Sequence, residues 1–190
     1  MNHEAGDSPP EGDYSDHLIV GQIVSGQKDL FRLLLRRYER HVYGMGRSFF
    51  RNAEDASDFT QEVFLKVYRN LSRFEGRSRF STWLYKIAYN TALNGVNRRK
   101  EYQSLAEGEA GVSDEDTPER VLIRKTARDA VTDSLEELPE RYRVCIDLFF
   151  FYDRSYQEIE AITGFPVNTI KSHVFRAKKI LREKLGDLGG

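Results

Sequence analysis

The chain has little cysteine and no long hydrophobic run. Its single cysteine, Cys145, excludes an internal disulfide framework, as is usual for proteins of a reducing compartment. No stretch approaches the roughly eighteen consecutive apolar residues of a membrane-spanning helix. Residues 1–16 are polar and acidic, without the cationic start and apolar segment of a signal peptide. These absences predict a soluble protein of the cytoplasm.

Positive charge is missing from two segments of the chain, although the net charge is only −1. Residues 1–16 contain five acids and residues 101–119 contain seven, and neither segment contains Lys or Arg. Residues 74–100 and residues 165–185 instead hold six bases each, against one acid each. Two basic segments separated by an acidic one predict two surfaces for a polyanion. A solvated basic helix face is the simpler alternative for either segment taken alone.

Strand patterns are also absent, and apolar residues instead recur at intervals of three and four. The spacing predicts helices over residues 16–26, 28–50, 53–74, 81–99, 119–138, 139–151, 155–163 and 167–185. Ser81 or Thr82 is the expected N-cap of the fourth helix, and Ser155 with Glu158 forms a capping-box pattern. The expected fold is all-α, with two small helical domains joined by a flexible acidic linker over residues 101–118.

The last two helices have the arrangement of a helix-turn-helix, a common DNA-binding unit. The long final helix has an apolar stripe that is expected to face the core, made of Val167, Ile170, Val174, Ala177 and Leu181. At about 100° per residue, its opposite face presents Asn168, Lys171, Ser172, Phe175, Arg176 and Lys179. These side chains suit base edges and phosphates. An inert basic helix is the alternative, and the unit alone does not say which kind of regulator carries it.

The fourth helix contains residues that a helix interior disfavours. Four such residues together lower the stability of the helix by about 2–3 kcal/mol relative to alanine. They are Asn90, Asn94, Gly95 and Asn97. Lys86 and the three asparagines are spaced by four, four and three residues and form one polar stripe, with Trp83 at its edge. Amides both donate and accept hydrogen bonds, as reading a base edge requires. The stripe therefore predicts a surface for single-stranded DNA, with an ordinary polar face as the alternative.

Two long segments of the chain resemble the bacterial RNA polymerase sigma factors. They are DASDFTQEVFLKVYRNLSRFEGRSRFSTWLYKIAYNTALNGVNRRK and LPERYRVCIDLFFFYDRSYQEIEAITGFPVNTIKSHVFRAKKILREKL, separated by an acidic gap. The resemblance is greatest to the extracytoplasmic-function (ECF) class, which has only the second and fourth conserved sigma domains. It implies a disordered acidic tail over residues 1–16, sigma domain 2 over 17–100, the linker over 101–118 and sigma domain 4 over 119–187. It also implies an alternative sigma factor that directs promoter-specific transcription initiation and is not an enzyme.

The resemblance implies that the third helix binds core RNA polymerase. In the family this helix, which contains DFTQEVF here, contacts the clamp helices of the β′ subunit, and the matching residues are Asp58, Gln61, Glu62 and Phe64. The β flap and an anti-sigma factor are further implied partners, and the anti-sigma factor is a candidate anchor at the inner membrane face. Solvated acids at a helix N-terminus are the alternative. A metal site of Asp55, Asp58 and Glu62 is disfavoured because no His or Cys supports it.

The resemblance also implies two promoter contacts. The family captures a flipped base of the minus-ten element, and the matching site is the loop from Phe74 to Phe80 with the fourth helix beneath it. The residues expected to bind minus-ten DNA are Arg77, Arg79, Trp83, Lys86, Asn90, Asn94 and Arg98. The residues expected to bind the duplex minus-thirty-five element are Asn168, Lys171, Ser172, His173, Phe175, Arg176 and Lys179. No catalytic residue, metal, cofactor or small-molecule substrate is implied.

Several residues depart from the family pattern. Glu160 lies near the helix-turn-helix turn, where a small residue is usual, and His173 replaces an expected arginine. Gly95 would let DNA or another helix come close. Cys145 is expected to be a core thiol, with a redox sensor as the alternative, and the tail over residues 1–16 is a candidate competitor of DNA for a basic face.

Two other classes of protein remain open. A stand-alone helix-turn-helix regulator would use the N-terminal domain for dimerisation or sensing, would footprint duplex DNA without polymerase, and would leave the asparagine stripe without a role. A nucleic-acid enzyme would need a catalytic constellation, and the sequence contains no P-loop, metal-ligand spacing or nucleophile–base pair.

Overall fold

A computed structural model describes residues 15–106, 134–135 and 137–186, and its side chains over residues 15–99, 134–135 and 137–185. The helices are α1 (Asp16–Val24), α2 (Phe31–Phe50), α3 (Ala53–Asn70), α4 (Phe80–Ala106), α5 (Glu140–Phe150), α6 (Tyr156–Thr163) and α7 (Val167–Gly186). Short 3-10 turns follow α1 and α3, at Lys28–Leu30 and Leu71–Arg73. The described ranges contain no strand, which confirms the all-α prediction. None of their helices is long and apolar enough to cross a membrane.

The N-terminal domain consists of α1 to α4, and side chains fix where two of these helices begin. The Ser15 hydroxyl accepts a hydrogen bond from the Leu18 amide, and the side-chain Oδ1 of Asn52 accepts one from the Glu54 amide at 2.8 Å. The Asp16 carboxylate pairs with Arg37 and accepts a hydrogen bond from Tyr38. Ser15 and Asp16 thus belong to the folded domain and not to the acidic tail, whose residues 1–14 lie outside the described residues.

The core of this domain is formed by the apolar stripes that helical spacing predicts. In α3 and the turn after it, the apolar residues that recur every four positions, Phe59, Val63, Val67 and Leu71, are buried. Helices α2 and α3 approach closely at Gly46, where an added Cβ would lie 2.7 Å from Phe59 Cδ1 and 3.0 Å from the Ala56 Cα. Glycine is therefore needed at this crossing because no side chain fits between the two helices.

Helix α4 differs from the prediction at both ends. It begins at Phe80, so that Ser81 and Thr82 lie inside the helix and the predicted capping role is wrong. It continues to Ala106 and so includes the first six residues assigned to the linker. The rest of that linker lies outside the described residues, as does the predicted helix over 119–138 apart from the helical residues 134–135 and the turn at 137–138.

The C-terminal domain consists of α5, α6 and α7. The capping box of Ser155 and Glu158 is present at the start of α6, which confirms the sequence pattern. Gly164 ends α6 with a φ of 78°, in the left-handed region that favours glycine. The Glu160 carboxylate accepts a hydrogen bond from the Val167 amide at 3.2 Å. The residue that departs from the family pattern at the turn therefore caps the final helix.

The two domains pack directly against each other along a surface that we call the domain seam. The seam joins Asp147, Tyr152, Arg154 and Glu158 of the C-terminal domain to His41, Ser48, Ser81 and Thr82 of the N-terminal domain. The Tyr152 hydroxyl donates to the His41 carbonyl at 2.8 Å, and Ser48 donates to the Asp147 carboxylate at 2.9 Å. Arg154 donates to the Ser81 hydroxyl at 2.8 Å. One continuous cluster of buried apolar residues runs beneath these polar contacts.

Candidate nucleic-acid interface

Helix α4 separates an apolar face from an amide-rich face. The buried face contains Leu84, Tyr85, Ala88, Tyr89, Thr91 and Ala92. The predicted polar stripe of Lys86, Asn90, Asn94 and Asn97 lies exposed on the surface. Asparagines in the middle of a helix disfavour it, and the exposure of these three leaves their amides accessible to a ligand.

The loop of residues 74–79, which precedes α4, has an aromatic base and a cationic rim. The ring of Trp83 lies 5.4 Å from that of Phe74 and 5.9 Å from that of Phe80. Arg77 and Arg79 are exposed at the rim, with Arg77 2.7 Å from the Glu75 carboxylate and Arg79 3.8 Å from that of Glu158. Aromatic surface beside exposed cations is the combination that holds unstacked bases and their phosphates.

The acidic face of α3 lies beside the C-terminal half of α4. Asp58 and Gln61 are exposed, and the Glu62 carboxylate contacts Lys66 at 2.7 Å and Arg98 at 3.8 Å. Asp55 pairs with Arg99. Because Asp55 and Glu62 are each paired with a cation, the arrangement disfavours the metal site that was the alternative for these acids.

One predicted polymerase contact on this helix is corrected by the structure. Phe64 is only 5% exposed and packs edge-to-face on Phe31, with their ring centres 6.3 Å apart. It belongs to the core and offers no surface to a partner. Leu65 and Tyr68 are exposed instead. The sequence held a signal for Leu65, because it lies two residues from both Val63 and Val67 and so on the opposite side of the helix from the stripe.

The final helix presents a polar and cationic face to the surface. The exposed residues of that face are Asn168, Lys171, Ser172, Phe175, Arg176 and Lys179. Phe175 is 69% exposed, an unusual position for a phenyl ring. Arg176 donates to the Tyr142 hydroxyl at 3.1 Å. The face thus combines donors for base edges and phosphates with one aromatic ring.

His173 does not belong to that face, and its predicted contact with DNA is corrected. The side chain is buried between the rings of Tyr142 and Phe165, at centre distances of 5.1 and 5.5 Å. Its Nδ1 lies 3.6 Å from the sulfur of Cys145. Burial, together with the nearby Arg141 and Arg176, lowers the pKa of His173, so the neutral ring packs in the core instead of binding a phosphate.

Packing also shows the surroundings of Cys145 and Gly95, for which the sequence left two alternatives each. Cys145 is fully buried, and burial raises the pKa of its thiol to about 12. A thiol that does not ionise at neutral pH is a poor redox sensor, so the structure favours the core role. At Gly95 an added Cβ would lie 2.9 Å from Phe50 Cζ. It is therefore another helix, α2, that comes close to this glycine.

The chain is similar to known transcription proteins over most of its length. The family Sigma-70 region 2 matches residues 34–102, and the family Sigma-70, region 4 matches residues 128–181. The RNA polymerase sigma-H factor of Pseudomonas aeruginosa is 34% identical and covers 91% of this chain and 95% of its own. The ECF RNA polymerase sigma-E factor of Haemophilus influenzae is 35% identical, and the match covers 92% of this chain and 97% of that protein. The chain belongs to the sigma factors of the ECF class, which are transcription initiation factors and not enzymes.

Two solved structures share this fold. CnrH in complex with the cytosolic domain of CnrY has a TM-score of 0.66 at 23% identity, over 90% of this chain and 97% of that chain. The sigma factor RpoE in complex with the anti-sigma factor NepR from Bartonella quintana has a TM-score of 0.68 at 24% identity, over 82% and 96%. The likeness extends across both domains and supports the all-helical, two-domain architecture.

Proposed function

We propose that the chain binds core RNA polymerase and directs initiation by reading two promoter elements in different states. Helix α7 reads the upstream element as duplex, and the loop of residues 74–79 with α4 reads the downstream element as a melted strand. The observation that carries the proposal is the asparagine stripe of α4, all of which is exposed on the surface.

Promoter opening would then be a binding process. Taking a base out of the stack has a free-energy cost of a few kcal/mol, and stacking on an aromatic side chain returns about 1–3 kcal/mol per base. Trp83 and Phe74 offer such aromatic surface, while Asn90 and Asn94 offer hydrogen bonds to a base edge. Exposed Arg77 and Arg79 would hold the phosphates. The polymerase would supply the chemistry.

The proposed polymerase contact is the acidic face of α3. Asp58, Gln61 and Glu62 would bind the clamp helices of the β′ subunit, and Leu65 replaces Phe64 as the apolar residue of this face. The second domain would contact the β flap. Both solved relatives are complexes with a second protein, one of them a named anti-sigma factor, and we include an anti-sigma factor and a cytoplasmic location in the proposal.

In vitro transcription tests the proposal as a whole. Core bacterial RNA polymerase is incubated with fragmented genomic DNA, with and without the protein. Defined run-off transcripts that appear only with the protein are the expected result, and their start sites give the promoter sequence. If no transcripts appear and the protein does not bind core enzyme, the proposal is wrong.

The double variant Asn90→Ala/Asn94→Ala tests the asparagine stripe. Its open complexes, measured by permanganate reactivity of unpaired thymines, are expected to fall roughly tenfold or more because each lost base contact is worth about 1–3 kcal/mol. The variant should unfold at a higher temperature, since alanine stabilises a helix by about 0.5 kcal/mol or more per replaced asparagine. Equal opening by both proteins would show that the stripe is an ordinary polar face.

The stand-alone regulator remains the second candidate, because α7 alone would suffice for duplex binding. That protein would give a duplex footprint without polymerase, and the double asparagine variant would leave the footprint and its transcriptional effect unchanged. Loss of opening with retained duplex binding separates the two functions.

A further inference from the structure

The chain enters the folded domain directly beside the proposed minus-ten loop. Helix α1 begins at Asp16, and the ring of His17 lies 5.1 Å from that of Phe74. The His17 Nδ1 lies 3.3 Å from the position that a Cβ on Gly76 would occupy. Any segment that precedes Ser15 therefore starts within a few residues' reach of the loop of residues 74–79.

The segment before this point carries the opposite charge to the loop. Residues 1–14 contain four acids and neither Lys nor Arg, and the acids are Glu4, Asp7, Glu11 and Asp13. The loop exposes Arg77 and Arg79, whose side chains are 86% and 71% exposed. Glu75 is the loop's only acid and pairs with Arg77, so the loop itself carries a net charge of +1. The Glu158 carboxylate of α6 lies 3.8 Å from Arg79, at the limit of an ion pair. The loop is thus a cationic surface beside an acidic segment of the same chain.

The tether is short enough to keep the two surfaces together. Fourteen residues span at most about 50 Å when fully extended, so a segment of this length that is attached at Ser15 can reach the loop. Short tethers give effective concentrations in the millimolar range. Weak, exposed ion pairs, each worth little by itself, therefore suffice for partial occupancy.

We propose that the acidic segment of residues 1–14 docks on the loop of residues 74–79 and competes there with the melted DNA strand. The loop cations would meet carboxylates in the free protein and phosphates in the open promoter. Because the ion pairs are exposed, salt screens the docking. The idea that DNA is displaced rests on the proposed function, whereas the docking itself does not.

Trp83 gives a DNA-free test, because it is the only tryptophan of the chain and packs on Phe74 at the base of the loop. Fluorescence quenching by iodide is compared for the full chain and for a tail variant, Glu4→Gln/Asp7→Asn/Glu11→Gln/Asp13→Asn, at a constant ionic strength of about 0.1 M. The matched control removes the same charge from the linker, as Glu107→Gln/Glu109→Gln/Asp114→Asn/Glu115→Gln.

The quenching constant of Trp83 is expected to rise about twofold in the tail variant. The neutralised segment would no longer cover the loop above Trp83, and it would no longer repel the iodide ion. The linker variant should match the unmodified chain. If the two variants rise equally, net charge explains the change and the docking is disproved. If neither rises, the segment does not cover the loop and the proposal is equally wrong.

Binding of a labelled single-stranded oligonucleotide tests the competition. The tail variant should bind about fivefold more tightly than the linker variant at low salt, and the difference should vanish near 1 M salt. Equal affinities together with a changed Trp83 signal would overturn the competition. If no protein binds the oligonucleotide but the Trp83 signal still differs, the docking stands and the proposed role of the loop in DNA binding fails.

Discussion

Gly46 and Gly21 both lie inside helices, but their surroundings are opposite. A Cβ on Gly46 would lie 3.0 Å from the Ala56 Cα of α3, whereas a Cβ on Gly21 would meet nothing within 4 Å. We expect Gly46→Ala to lower the free energy of unfolding by about 1–3 kcal/mol through overpacking. Gly21→Ala should raise it by about 0.5–1 kcal/mol, since alanine favours a helix.

Urea unfolding of the two variants measures both effects, read as shifts of the midpoint at an unchanged slope. The expected shifts have opposite signs. A midpoint for Gly46→Ala that rises like that of Gly21→Ala would contradict the close crossing of α2 and α3.

Single residues at the edge of an apolar stripe are where the sequence was least informative. Ile170, Val174 and Ala177 lie at the centre of the stripe and are buried, as the spacing predicts. His173 lies one step from Val174, at a position that helical spacing places neither clearly inside nor clearly outside. Its burial depends on the aromatic neighbour Tyr142, 31 residues earlier in the chain, and no local pattern contains that information.

At the scale of elements, the cap of α7 provides the next prediction. Glu160→Ala removes the carboxylate that accepts a hydrogen bond from the Val167 amide. The variant should lose about 0.5–2 kcal/mol of stability, as other caps do, and its affinity for duplex DNA should fall because the start of α7 frays. Gln157→Ala, an exposed change on the same α6 helix, is the matched control.

Thermal unfolding and a duplex-binding titration check this pair. Identical behaviour of Glu160→Ala and Gln157→Ala would mean that the hydrogen bond to Val167 contributes nothing to the helix.

Helix starts illustrate how far local rules extend. The capping box at Ser155 was predictable because both of its partners lie within four residues. Ser81 and Thr82 satisfy the same composition rule, yet their hydroxyls contact Arg154 at 2.8 Å and Glu158 at 3.2 Å. Those partners lie more than 70 residues further along the chain. The role of these two hydroxyls is therefore determined by tertiary contacts and not by the local capping pattern.

The whole molecule has a titratable group in its domain seam. Burial raises the pKa of Asp147 to about 6, although Ser48 and Arg143 act to lower it. The folded protein thus holds this proton more tightly than the unfolded chain. The contribution of this proton to the free energy of unfolding is fully present below about pH 4 and is lost as the pH rises through about 6.

Asp147→Asn keeps an acceptor for Ser48 but removes the titration. Above pH 7 the variant should be more stable than the unmodified chain by about 3 kcal/mol, and the difference should shrink towards pH 4. Thermal unfolding across this range measures it. Burial lowers the pKa of His41 in the same seam, but His41 titrates in both proteins and cancels in the comparison. A difference that is constant with pH would contradict the prediction.

Two helical domains were predictable from periodicity, and the family assignment agrees with them. The way in which the two domains pack against each other was not predictable from the sequence. Ser48 and Asp147 are 99 residues apart, and Tyr152 and His41 are 111 apart. Polar pairs of this kind leave no periodic trace in the sequence because each partner looks like an ordinary surface residue on its own helix.

The domain seam also limits how this chain can be recombined with its relatives. A chimera that joins the N-terminal domain to a foreign C-terminal domain would replace Tyr152, Arg154 and Glu158 together and keep Ser81 and Thr82. The retained hydroxyls would then face side chains that were not selected to meet them. A working exchange therefore has to move a domain together with the seam residues of the opposite domain that contact it. A crossover placed in the linker separates these two sets of residues.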